Sequence, residues 1–164
     1  MRVAKHPKNS LNFNQFPQFQ SIPSILINRN PMKIAVSSQN QTNVTAHLGH
    51  CQKFWIYDVD DTTIQTKQLL QITKDQSFHE SSPKDSHPLD TVQVLISGGI
   101  GRGLARRLQS KGIQPLITAE TDLDAAVMAY LDDTLVVMTP EEHHQREHGD
   151  ALGHRHGKPE HSPE

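Results

Sequence analysis

The sequence predicts an α/β fold, a mixed five-stranded sheet with strand order 3-2-1-4-5 lying between helices. Three observations point there. Val92–Ser97 is an apolar run followed by glycines at 98, 99, 101 and 103, a helical stretch and a second apolar run at Gln114–Ile117. That is a strand–turn–helix–strand unit with parallel strands. Upstream, three strand-like segments are separated by polar turns and make an antiparallel meander. Near the end, Leu123, Ala126, Val127, Tyr130 and Leu131 fall on one face of a helix. A right-handed crossover, with the fourth strand parallel to the first, gives the order.

Ile34 to Ser37 opens the sheet as a short buried strand. Phe54 to Val59, rich in aromatic and β-branched residues, is the second strand. Asp60-Asp61-Thr62 has turn chemistry, and the third strand runs from Thr63 to about Thr73 with the polar alternation of a sheet margin. Lys74 to Pro88 is a loop with Phe78 as its one large apolar residue and with His79 and His87; its length makes it a candidate lid. The helix after the glycines carries Leu104 and Leu108 on one face and ends at Gly112. Pro115 places the fifth strand at an edge or puts the proline among its first residues. Thr121-Asp122-Leu123-Asp124 starts the last helix, and Leu135–Met138 is a closing apolar segment of undetermined type.

The folded domain is therefore expected over 32–138. Residues 1–31 contain Arg2, Lys5, Lys8 and Arg29 but no acid, and read as a disordered leader or as an extension upstream of a natural start at Met32. Residues 139–164 mix histidines with acids, glycine and proline and read as a disordered tail. A net charge of −2 gives no reason to expect a nucleic-acid partner. The single cysteine excludes an internal disulfide and fits a reducing, cytoplasmic setting. No apolar run approaches the ~20 residues that span a bilayer, so no membrane partner is expected.

Function is expected at Ala46–Cys51, where His47, His50 and Cys51 sit within five residues of one another, on a loop between two strands. A thiol and two imidazoles can grip a soft metal or a metal–sulfur cluster, and Gly49 lets the backbone turn sharply beneath it. On spacing alone the plainer reading is favoured, with His47 capping the loop and Cys51 a small core residue. Gly98, Gly99 and Gly101 with Arg102 do not fit a dinucleotide fingerprint, because the third glycine would fall at Leu104. They either hold an anion at a helix start or serve only tight strand–helix packing. His143, His144, His148, His154 and His156 in the tail could collect nickel or zinc without fixed geometry. In the predicted topology the His47 loop and the Gly98–Gly103 turn leave adjacent strand ends and frame one pocket.

The ordered pieces Met32–Ser37, His47-Leu48-Gly49, Phe54–Val59, Val94–Gly101, Gly112–Pro115 and Ala129-Tyr130-Leu131 resemble the dinitrogenase iron–molybdenum cofactor biosynthesis proteins, the NifX-like accessory family. The resemblance spans about 32–135. It implies a ribonuclease-H-like three-layer fold and a non-enzymatic role: binding and carriage of an iron–sulfur or iron–molybdenum cluster, or its precursor. The implied partners are the donor and acceptor proteins of cofactor assembly, met by a monomer or weak dimer. It raises His47 to a pocket residue and leaves Cys51 a weaker candidate. Two other readings stand beside it. One is a general metal-handling protein that works through its histidine-rich tail. The other is a metal-dependent nuclease built on Asp58, Asp60 and Asp61.

Overall fold

A computed structural model describes residues 31–151. Its strands are β1 (Met32–Ser37), β2 (Lys53–Val59), β3 (Ile64–Gln71), β4 (Val94–Ser97), β5 (Gln114–Thr118) and β6 (Val137–Met138). They form one mixed sheet in the order β3-β2-β1-β4-β5-β6. The expected order holds for the first five, and the sheet has six strands instead of five. The closing apolar segment is the sixth: Met138 pairs with Ile117 and Val137 with Thr118, antiparallel. The Thr118 hydroxyl also donates to the Val136 carbonyl at 3.0 Å. Pro115 is the second residue of β5, and β6 reaches only Ile117 and Thr118, so the proline lies outside the β5–β6 pairing.

Helices α1 (Arg102–Ser110) and α2 (Leu123–Leu131) lie on opposite faces. Strand alternation sorts the core between them. Ala35 and Leu95 join Leu48, Phe54, Phe78, Ile100 and Leu108 on the α1 side. Ile34, Val36, Val94 and Ile96 join Tyr57, Leu123, Ala126 and Val127 on the α2 side. Asp122 caps α2 by accepting from the Ala125 amide at 2.7 Å.

The segment 139–151, read as unstructured, instead forms a helix, α3 (Pro140–Ala151). The physical reason is a capping box. The Thr139 hydroxyl accepts from the Glu142 amide at 3.2 Å, and the Glu142 carboxylate accepts from the Thr139 amide at 2.7 Å. Pro140 at the first helical position and two acids in the first turn agree with it. His154, His156 and the 1–30 leader lie outside the described residues. Among the described residues, no helix is long and apolar enough to cross a membrane.

The loop between β3 and β4 is held from within. Phe78 is buried and stacks on His87 at 4.4 Å between centroids. Arg107 of α1 donates to the carbonyls of Phe78 at 2.9 Å and Ser81 at 3.0 Å. His87 is 5% exposed. Its Nε2 faces the Gln76 carbonyl at 2.6 Å, and its Nδ1 accepts from the Leu89 amide at 3.1 Å. That arrangement fits a neutral ring with the proton on Nε2. Burial, with Arg107 and Lys111 nearby, lowers its pKa against the opposing pull of the Gln76 carbonyl and Asp90. Above the ordinary histidine value of 6.5, folded and unfolded His87 are both neutral. Below it the unfolded chain takes up a proton that the folded ring resists, so stability falls as pH falls. We expect the melting temperature to drop between pH 7.5 and pH 5 by calorimetry, and to drop less in His87→Asn. Equal slopes in the two proteins would refute the assignment. Asp58, lowered by the hydrogen bond from Lys33, and Asp124, lowered by the one from Lys67, act only at more acid pH, below their ordinary value of 3.8.

Candidate functional site

β1 and β4 are adjacent and parallel, so the chain leaves both at the same end of the strands, a sheet margin formed by their carboxyl ends. In open α/β sheets that margin is where ligands bind. Here the two exits are tied together. The Thr45 amide donates to Ser37 O at 2.8 Å, the Gly98 amide to Thr45 O at 2.8 Å, and the Leu48 amide to Gly99 O at 3.0 Å. Beneath them the Ser37 hydroxyl donates to the Ser97 hydroxyl at 2.8 Å, both buried. The glycines make this approach possible. A Cβ on Gly98 would stand 2.9 Å from Ala46 Cα, and one on Gly99 would overlap the Ala46 carbonyl. These two let the turn pack closely on the Thr45–Ala46 loop, whereas the sequence reading offers strand–helix packing. Nothing lies within 4 Å of a Cβ on Gly101 or Gly103, where the turn is open.

Above this floor is a cleft of about 810 Å³. His47, Gly49 and His50 form one wall and Gly99 to Leu104 the base. Phe78, His79, Ser81 and Pro83 of the long loop form a second wall. The third wall is α3, with His143, His144 and Glu147. His47 Nε2 lies 3.4 Å from Glu147, and His143 Nδ1 lies 3.9 Å from the other oxygen of the same carboxylate. The His47 and His143 rings are 6.1 Å apart and nearly perpendicular. Arg102 pairs with Glu141 at 2.8 Å, which fastens α3 to the start of α1. Gly101 caps α1 without a side-chain hydrogen bond. The amides of the first helical turn therefore have no side-chain cap, and they lie at the cleft base.

The candidate residues divide as follows. His47, Gly49, His50, Gly99, Gly101, Arg102, His143 and His144 meet in the cleft. Gly98 lies beneath it. Cys51, a candidate ligand on sequence, faces inward among Leu48, Phe54 and Phe78 and is 2% exposed. Its Sγ donates to Lys53 O at 3.1 Å, and burial raises its pKa. A thiol so placed is a packed core group and not a ready ligand. His148 meets the His144 ring edge-on, 4.2 Å between centroids, and does not line the cleft. Of the acidic trio, Asp58 is engaged by Lys33 at 2.5 Å and Thr66 at 2.6 Å. Asp60 closes its turn by accepting from Thr63, and among the described residues the three do not gather as metal ligands. Glu147 and Arg107 were not foreseen at the site. The signal for Glu147 is its i, i+4 spacing from His143.

Comparison with known proteins agrees with the layout. Residues 30–133 match the family described as dinitrogenase iron–molybdenum cofactor. An uncharacterized protein of Methanocaldococcus jannaschii is 24% identical over 106 residues, 63% of this chain and 89% of that protein. A solved structure from the same organism, provisionally assigned as a dinitrogenase, is 18% identical, with TM-score 0.51, covering 66% of this chain and 96% of its own. A Thermotoga structure provisionally assigned as a NifB protein is 21% identical, with TM-score 0.51, covering 65% and 92%. The structural likenesses carry the fold.

Proposed function

Because the chain belongs to the dinitrogenase iron–molybdenum cofactor family, we propose that it is a non-enzymatic carrier that binds an iron–sulfur or iron–molybdenum cluster, or its precursor, and passes it from a donor to an acceptor protein of cofactor assembly. The observation that carries this reading is the cleft itself, with His47 of the first loop and His143 of α3 both facing Glu147 beside the open first turn of α1. An imidazole can take one iron of a cluster, and the uncapped amides with Arg102 can steady an anionic cargo. With Cys51 packed inward, the described cleft offers imidazole and carboxylate ligands and no thiolate. Four thiolates are the usual permanent hold on a cubane, so the attachment here is releasable, as carriage requires. With this reading go a ribonuclease-H-like description of the sheet, a cytoplasmic setting, and a monomer or weak dimer in solution.

Anaerobic incubation of the full-length chain with a cluster donor, followed by gel filtration, tests it. Visible absorbance that co-elutes with the protein is the expected result. A chain that stays colourless with both iron–sulfur and iron–molybdenum donors overturns the proposal. A second reading, general metal handling by the C-terminal histidines, is favoured by one observation, the contact of His144 with His148 on α3. Removal of residues 139–164 would then weaken nickel or zinc binding by the chain. Undiminished affinity would dismiss it.

A further inference from the structure

Beside the cleft, three ligand-bearing side chains meet that the sequence does not place together. His50 lies on the first loop, and His79 and Glu80 on the long loop between β3 and β4. One ligand atom from each can be chosen so that all three lie within 4.8 Å of one another. The two imidazoles are 4.1 Å apart between centroids and tilted by 44°. Among the described residues, neither ring nor the Glu80 carboxylate has a hydrogen-bond or ion-pair partner.

Both loops are held in place before any ligand arrives. The His79 amide donates to Gly49 O at 2.8 Å, so the backbones that carry the two rings are joined directly. On one side, the Cys51 amide closes a turn onto Leu48 O at 3.0 Å, and Leu48 and Cys51, on either side of Gly49-His50 in the chain, are buried. On the other, the Glu80 and Ser81 amides fold back onto Ser77 O, and buried Phe78 and the Arg107 guanidinium hold that turn from below. The side chains are exposed and the frame under them is fixed. Such a site loses little conformational entropy in the backbone when it closes on an ion.

We infer that His50, His79 and Glu80 form a binding site for one divalent first-row transition metal ion. Two imidazoles and one carboxylate are ligands for zinc, nickel, cobalt or ferrous iron and a poor set for calcium or magnesium, which take oxygen. Bonds of about 2.0–2.2 Å would bring tetrahedral ligand atoms to roughly 3.3 Å from one another, a contraction within reach of exposed side chains turning about their own torsions. Three protein ligands leave a coordination position for water or an incoming group, so the ion is exchangeable. This assignment does not depend on cluster carriage, because it concerns a single ion in the apo protein.

The probe is cobalt(II), titrated into the full-length apo chain in the absence of any cluster and followed by amide NMR. Paramagnetic broadening should appear first at Gly49, His50, His79 and Glu80. His79→Ala should require at least about tenfold more cobalt for the same broadening. Glu80→Gln, which keeps shape at an exposed position, should also weaken it. Unshifted amides elsewhere in the spectrum confirm that each variant is folded. Broadening that starts on α3 and spares the two loops would overturn the inference. So would an unchanged titration in both His79→Ala and Glu80→Gln. A negative result leaves cluster uptake by the same protein unaffected, and a colourless protein that still shows the loop broadening separates the two conclusions in the other direction.

Discussion

Replacing His47 with alanine should lower cluster retention by at least about tenfold, a loss of about 1.4 kcal/mol, whereas Cys51→Ala should leave it near the wild-type value. The His47 side chain is 69% exposed and faces Glu147 across the cleft. Its removal takes away a ligand atom without disturbing a packed neighbour, so the fold should be unchanged by circular dichroism. Cys51 is the reverse case. It contributes to the core, so Cys51→Ala should cost about 1 kcal/mol of stability and little cargo. The buried thiol should also react slowly with iodoacetamide in the folded apo protein at neutral pH, because burial raises its pKa and limits access. His143→Ala should resemble His47→Ala. The ordering is refuted if His47→Ala holds its cluster through gel filtration while Cys51→Ala loses it.

Gly99→Ala should be among the most destabilising single-methyl additions available in this chain, at about 2–3 kcal/mol. The new Cβ would overlap the Ala46 carbonyl and stand 2.8 Å from the His143 ring. The ring can swing away, but the carbonyl cannot. Ala46 lies between Thr45 and Leu48, both tied by backbone bonds to β1 and the glycine turn. Relief therefore requires the His47 loop to lift from the floor, and cluster retention should fall with stability. Gly103→Ala is the matched control. Nothing lies within 4 Å of its added Cβ, and it sits in α1, where alanine is preferred to glycine by about 0.5–1 kcal/mol. Thermal unfolding of the two variants should move in opposite directions. A Gly99→Ala protein that melts with the wild type would show that the floor is not rigid.

What was legible in the sequence followed from periodicity. The alternation in β1 and β4 assigns Ile34, Val36, Val94 and Ile96 to one face and Ala35 and Leu95 to the other, and the structure sorts them so. The glycines after β4 and the capping residues before α2 fix where helices begin. Periodicity fails where the chain is irregular. Leu48 and Cys51 both point inward because a turn places them three residues apart on its buried side, and no strand alternation extends into that loop. α3 escaped because it has little apolar surface, and composition argued for a tail; its start was nevertheless written in Thr139-Pro140-Glu141-Glu142. β6 is two residues long, too short for any pattern. The meeting of His50 with His79 depends on how the long loop folds back over β1 and β4, and that is set by Phe78 and Arg107 through tertiary contacts.

One wall of the cleft comes from a stretch of chain that lies past the region matched to the family. The match ends at residue 133, and α3 begins at Pro140. His143, His144 and Glu147 are thus carried on a helix outside the matched region, whose exchange would leave all the strands up to β5 in place. A scaffold organised this way separates inheritance of the fold from tuning of what it holds. The sheet and the His47 loop can stay as they are while other residues at the positions of α3 bring different side chains to the mouth. For protein engineering, grafting other C-terminal helices after β6 is then the direct route to altered cargo preference on an unaltered domain.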